Sequence, residues 1–143
     1  MTKTKIIKIV SIVMFISSIV FFFLPYRADN IGVRHNGLSM IQYGFEHMSN
    51  DWGMEMIMRF AVPVVACVIA GIVMLVRTNT ITSIIATVLS VIAFYMYHYY
   101  IGDYMGDSYG IEIGLIINYI ISILGIILPI AVLVLSKLEK KNK

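Results

Sequence analysis

Acidic residues alternate with tyrosines in one short segment of the second half of the chain. Tyr100-Ile-Gly-Asp103 stands directly before Tyr104-Met-Gly-Asp107, and Glu112 follows. Carboxylates framed by aromatic rings can bind a cation or a cationic peptide. The alternative is a solvated, glycine-rich turn with an acidic rim. An intramembrane aspartyl protease is disfavoured, because that chemistry needs two acids on facing helices that share one proton.

Methionine and histidine offer a second chemistry. Met54-Glu-Met56-Ile-Met58 has the spacing M-x-M-x-M, and thioether and imidazole ligands suit Cu(I). On a helix, however, Met54, Ile57 and Met58 form one packing stripe while Met56 points elsewhere. Packing is therefore the favoured role. We predict no metal and no cofactor, with a copper-handling protein kept as an alternative.

Motifs of the common enzyme classes are absent from the sequence. It contains no H-E-x-x-H, no G-x-S-x-G, no Walker loop and no C-x-x-C. Its one cysteine, Cys67, excludes an intrachain disulfide. We expect a protein that is not an enzyme.

The elements that position these residues follow from the composition. Of 143 residues, 59% are hydrophobic and 13% are charged, which is too apolar for a disordered chain or for a soluble domain of this length. Since about 20 apolar residues cross the hydrocarbon core, the sequence predicts an all-α bundle of four transmembrane helices in one membrane domain, residues 1–143. Its predicted parts are spans at about 6–25, 54–76, 81–100 and 113–135, outer loops at 26–53 and 101–112, and a basic tail at 136–143.

Lysine and arginine predict the orientation of the spans. Eight of the eleven lie in the N-terminal segment, in the short turn containing Arg77 and in the C-terminal tail, which share one side of a four-span protein. The positive-inside rule makes that side cytoplasmic. Seven of the eight acids lie on the other side. We therefore expect a cell-membrane protein with both termini cytoplasmic, whose basic side faces anionic lipid and not nucleic acid.

Few polar side chains lie within the predicted spans. Glu55 and Arg59 are four residues apart and can pair on one helix face. No span carries a charged residue near the middle of the membrane, which disfavours ion-coupled transport. Small and polar residues at four-residue spacing predict close contacts between helices. The predicted helix-packing positions are Gly71, Ser90, Gly114, Asn118 and Ser122.

Asn36-Gly37 is a strong short-range signal for a hairpin turn, because both residues tolerate a positive φ. The segment 31–35 precedes it, and the segment 38–45 follows with partly strand-like alternation. We therefore expect a small β-hairpin centred on Asn36-Gly37, with His35 opposite Leu38, lying over the outer end of the bundle.

This layout resembles the topology of claudin-type tetraspan proteins in architecture alone. The paired cysteines and the Trp-Gly-Leu-Trp signature of claudins are missing, so the resemblance implies no function for this chain.

The concentration of acids and aromatic residues on the outer side predicts an interaction, accessory or immunity-type membrane protein. Richness in Lys, Ile and Asn favours a bacterial source. Its partner would be a membrane or extracellular protein or peptide, and the chain could also form oligomers. The alternative function is that of a small oligomeric channel or transporter with a path past Asn118. The predicted partner-binding residues are Trp52, Tyr100, Asp103, Tyr104, Asp107 and Glu112.

Overall fold

The computed structural model describes residues 2–104 and 110–142, with the backbone alone at residues 103 and 104. Among the helices in these ranges, those at Lys3–Phe22, Asp51–Val76, Thr80–Gly102 and Ile113–Lys141 are long and apolar enough to cross a membrane. The elements in chain order are α1 (Lys3–Phe22), β1 (Pro25–Ala28), β2 (Arg34–Asn36), α2 (Gly37–Glu46), α3 (Asp51–Val76), α4 (Thr80–Tyr104), β3 (Gly110–Ile111) and α5 (Ile113–Lys141).

The long helices form a ring in which α1 packs on α3, α3 on α4, α4 on α5 and α5 on α1. The interior holds small side chains, such as the fully buried Cys67, Ala86 and Ser90, beside large aromatic ones such as Phe15 and Tyr97. Branched apolar side chains cover the outside, where Val13 and Val20 are 61% and 63% exposed. Small and polar residues among the buried positions, together with branched apolar residues over the outside, are expected of a helix bundle in lipid.

A three-stranded antiparallel sheet lies at one end of the bundle, in the order β2-β1-β3. Arg27 of β1 is paired with His35 of β2 on one side and with Ile111 of β3 on the other. We call this end, which also carries α2, the sheet end. The opposite end holds the start of α1 and the end of α5, where the Thr4 amide donates to Glu139 Oε1 at 3.3 Å.

Tyr26 anchors the sheet in the bundle. The register between β1 and β2 shifts between Pro25 and Arg27, so Tyr26 is the extra residue of a β-bulge. Its side chain is fully buried and packs edge-on against Phe22 with ring centroids 5.8 Å apart. The Asn118 side-chain amide donates to the Tyr26 hydroxyl. The strand is thereby held at a set position on the helices.

The expected turn at Asn36-Gly37 is wrong, and so is the pairing of His35 with Leu38. The hairpin is formed by β1 and β2, and Gly37 begins α2. Asn36 is the helix N-cap: its Oδ1 accepts from the Ser39 amide at 2.8 Å. Gly37 packs directly on the Phe22 ring, in a position without space for a side chain. Capping and tertiary contact therefore favour the helix over the predicted strand.

The helices extend beyond the predicted spans. The third helix begins at Asp51, and α5 continues to Lys141 through most of the predicted basic tail. Lys140 and Lys141 lie in its last turn, where cations interact favourably with the helix dipole.

Candidate functional site

A cavity of about 430 Å³ lies between the sheet and α2. We call it the hairpin cavity. Its volume falls in the range of small-molecule and side-chain binding sites, about 300–1,000 Å³. The lining residues are Arg27, Asp29 and His35 from the hairpin and Ser39, Met40, Gln42, Tyr43 and Glu46 from α2.

Asp29 holds the hairpin turn in shape. Its Oδ1 accepts hydrogen bonds from the Ile31 amide at 3.1 Å and from the Val33 amide at 2.8 Å. Gly32 lies between them with a φ of +82°, which a glycine adopts without steric cost. The other carboxylate oxygen, Oδ2, is 3.5 Å from His35 Nε2. One side chain thus closes the turn and orients the imidazole in the cavity wall.

The electrostatics of the cavity follow from this arrangement. Partial desolvation raises the pKa of Asp29. The hydrogen bonds from two backbone amides and the contact with His35 lower this pKa by more than desolvation raises it, so the pKa of Asp29 lies below its ordinary value. Asp29 is therefore ionised at neutral pH. Arg27 and His35 are direct cross-strand partners, so both side chains project from one face of the sheet.

The lining carries charges of both signs. Glu46, which is exposed on α2, adds a second carboxylate. The two carboxylates of Asp29 and Glu46 outnumber the Arg27 guanidinium, which favours a ligand group that is cationic and can also donate to Gln42 or Tyr43. Open to solvent and lined by polar side chains, the cavity can bind such a group through charge-assisted hydrogen bonds.

Trp52, a predicted partner-binding residue, belongs to an aromatic cluster beside the cavity. Its ring stacks on His47 with centroids 4.8 Å apart, and Tyr43 lies 4.2 Å from His47 on the same cluster. Since His47 Nδ1 is 2.8 Å from the Tyr43 carbonyl oxygen, the ring is fixed in orientation. Trp52 remains 38% exposed and could contact a partner or lipid.

Among the other predicted partner-binding residues, Tyr100 and Glu112 have described side chains, and Tyr100 lines a cavity of about 110 Å³ together with Trp52. Tyr100 is 2% exposed and packs on Phe60 with ring centroids 4.8 Å apart, so it is a core residue. Glu112 lies 3.7 Å from Arg34 Nε at the edge of the sheet. The side chains of Asp103 and Tyr104, and all of Asp107, lie outside the described residues.

Glu55 and Arg59 form an ion pair on α3. The Arg59 guanidinium also lies over the Tyr99 ring of α4, 4.8 Å from its centroid. Cavities of about 110 and 190 Å³ adjoin the pair. These contacts hold the Arg59 guanidinium near the sheet end, and the Glu55 side chain is 54% exposed.

The helix-packing positions lie in the contacts between helices. Asn118 is fully buried and donates to the Ser18 carbonyl oxygen at 3.3 Å. A Cβ on Gly114 would lie 2.7 Å from the Leu24 carbonyl oxygen, and one on Gly71 would lie 2.9 Å from Phe15 Cβ. Ser90 and Ser122 are buried as well. Because Asn118 is enclosed, it faces no open path within one copy of the bundle.

The predicted packing stripe, with Met54 and Met58 packed and Met56 pointing elsewhere, is wrong. Met54 and Met58 are each 50% exposed, whereas Met56 packs on the hydrophobic core. Over residues 2–104 and 110–142, no group of three or more His, Cys, Asp or Glu side chains is placed to hold a metal ion.

None of the residues that line the hairpin cavity is among the predicted partner-binding residues. The cavity residues of α2 could have been predicted from the helical pattern after Asn36, in which apolar residues at 38, 41, 45 and 48 alternate with the polar residues 39, 42 and 46. That pattern puts the polar group on one helix face. Comparisons of the chain with protein families, with curated proteins and with solved structures give no match.

Proposed function

We propose that this chain is a non-enzymatic, multi-pass cell-membrane protein that binds a protein or peptide partner at its sheet end. In this proposal both termini are cytoplasmic, the sheet end faces outward, and the claudin-like layout of spans is one of architecture alone. The distribution of lysine and arginine in the sequence supports this orientation.

The observation that carries the proposal is the hairpin cavity. It places Asp29, Arg27 and Glu46 around one open space at the end of an otherwise apolar bundle. We propose that it receives a cationic group of the partner, such as a lysine or arginine side chain or an amino terminus. An accessory subunit or an immunity-type protein would use such a site, and the enclosed position of Asn118 favours both over a channel through one copy.

Site-specific photocrosslinking tests the proposal. A benzophenone amino acid at Gln42 lies in the cavity wall, and the same amino acid at Ile84, a 55% exposed residue of α4, is the lipid-facing control. We expect a discrete crosslinked partner from position 42 that position 84 does not give. The double variant Asp29→Asn with Glu46→Gln should reduce this crosslink roughly 10-fold or more, since each charge-assisted hydrogen bond contributes about 1.5–3 kcal/mol.

The substitutions are chosen to preserve the fold. Asparagine at position 29 keeps an oxygen that can accept from the two turn amides. Asp51→Asn, an exposed acid at the start of α3, is the matched control and should leave the crosslink unchanged. A crosslink of equal intensity in the double variant and the wild type, at equal protein levels in the membrane, would contradict the proposal.

A further inference from the structure

Helix α2 and the turn after it carry a stripe of apolar side chains that is exposed except at Ile41, which packs against the hydrophobic core. The stripe consists of Leu38, Ile41 and Phe45 of α2 and of Met48, which follows the C-cap His47; their spacing i, i+3, i+7 and i+10 is that of one helix face. Phe45 is 60% exposed and Met48 is 44% exposed. We call these four residues the apolar stripe.

The other faces of α2 already have neighbours. Its bundle face carries Met40 and Gly44, both buried. A Cβ on Gly44 would lie 2.8 Å from Ile57 Cγ1 and 2.9 Å from the Gly53 carbonyl oxygen, so the two helices cross at close contact. The polar face lines the hairpin cavity. Bundle, polar cavity and apolar stripe thus occupy three separate sides of a ten-residue helix.

The position of α2 places this stripe beside the apolar surface of the long helices. Gly37 contacts Phe22 at the end of α1, and Gly44 contacts Ile57 in the second turn of α3, so α2 bridges these two helices at the sheet end. Exposed apolar side chains flank both contacts, namely Phe23 after α1 and Met54 at the start of α3. The stripe therefore continues the apolar outer surface of the bundle.

Aromatic residues mark the same level. Trp52 is 38% exposed and Tyr43 is 46% exposed, and both belong to the cluster around His47 that joins α2 to α3. Tryptophan and tyrosine concentrate at the boundary between headgroups and acyl chains. A helix that is apolar on one side and polar on the other lies in that boundary, parallel to the membrane.

We infer that α2 is an interfacial helix whose apolar stripe is immersed among the acyl chains of the leaflet at the sheet end. The hairpin cavity, on another side of the helix, then opens at the level of the lipid headgroups. A partner reaches it at the membrane surface. This placement of α2 does not depend on whether the cavity binds a peptide.

Spin labels on α2 test the inference in the full-length chain. Phe45→Cys lies in the apolar stripe, and Gln42→Cys lies on the cavity side of the same helix. Cys67 is fully buried, so the unsubstituted chain serves as the labelling control. In phosphatidylcholine vesicles, we expect the label at position 45 to collide more with oxygen and the label at position 42 more with a water-soluble nickel complex, with collision ratios that differ several-fold.

Two results would overturn the inference. Equal collision ratios at positions 45 and 42 would mean that the stripe faces water. Exclusion of both reagents from position 45 would mean that protein, such as a second copy of the chain, covers it.

A second measurement needs no substitution. Trp52 is the one tryptophan of the chain, so its fluorescence reports the depth of the junction between α2 and α3. Lipids brominated close to the headgroup should quench it more strongly than lipids brominated near the chain end. The absence of quenching by either lipid would place the junction outside the membrane and contradict the inference.

Discussion

Asp29 connects the fold of the hairpin with the charge of the cavity. The same carboxylate accepts two backbone amides of the turn and contacts His35 in the cavity wall. A charge in this position is stabilised by its partners in the folded state alone, which is why the pKa of Asp29 is lowered.

The lowered pKa predicts how stability depends on pH. A carboxylate with a depressed pKa contributes stability above its unfolded pKa, and that contribution is lost as the pH falls through the folded pKa. We expect the difference in thermal midpoint between the wild type and Asp29→Asn in detergent to be retained down to about pH 5, and to shrink below about pH 4. A difference that does not shrink below about pH 4 would contradict this assignment.

The Tyr26 hydroxyl predicts a second effect at the residue scale. Tyr26→Phe removes the hydrogen bond from the buried Asn118 amide and keeps the ring in place. We expect a loss of about 1 kcal/mol in the free energy of unfolding, the usual size of a hydrogen bond between membrane helices. Titration with sodium dodecyl sulfate, followed by circular dichroism, measures it.

Tyr95→Phe is the control for Tyr26→Phe. Tyr95 is 65% exposed on α4 and stacks on Tyr99, a contact that phenylalanine retains. Equal unfolding midpoints for the two variants would show that the buried hydroxyl contributes nothing to stability.

At the scale of the elements, the contact between α5 and the end of α1 depends on a glycine. A Cβ on Gly114 would lie 2.7 to 2.8 Å from three carbonyl oxygens, those of Phe21, Leu24 and Pro25. Backbone atoms cannot rotate away as a side chain does, so an added methyl group must move the helix.

Gly114→Ala is therefore expected to lower the free energy of unfolding by about 1–3 kcal/mol, the cost of overpacking. Gly102→Ala is the matched control, because nothing lies within 4 Å of a Cβ at that position of α4. Alanine there should be neutral or stabilising by up to about 1 kcal/mol, from helix propensity. Thermal melting in detergent compares the two variants, and equal destabilisation would refute the proposed close contact.

The secondary structure of α2 could not be predicted from its local sequence pattern alone. Residues 38–45 combine strand-like alternation with apolar residues three and four positions apart, so the sequence supports two secondary structures. The contact of Gly37 with Phe22 and the crossing of Gly44 on Gly53 favour the helix. Neither contact follows from the apolar pattern of residues 38–45, because each is made to a residue outside that segment.

At the scale of the whole molecule, orientation is the property that the proposed function depends on most. Ile31 lies at the tip of the hairpin and is 85% exposed, and Lys140 is exposed near the end of α5. We expect a membrane-impermeant maleimide to label Ile31→Cys in intact cells, and to label Lys140→Cys only after permeabilisation.

The unsubstituted chain is the control for this labelling, because Cys67 is fully buried and should not react. Labelling of Lys140→Cys in intact cells would reverse the orientation and place the hairpin cavity on the cytoplasmic side.

The amino-acid sequence alone determined the number of helices able to span a membrane and their approximate limits, because length and apolarity are local properties that each segment carries by itself. The ion pair between Glu55 and Arg59 could be predicted from the sequence for the same reason, since the two residues are four positions apart on one helix. Only the tertiary structure decided that Tyr100 is buried, that the hairpin turn is at Asp29, and that Arg27, Asp29 and Glu46 surround one cavity. These features depend on how β1 and α2 lie across the bundle, and that depends on contacts between residues far apart in the chain.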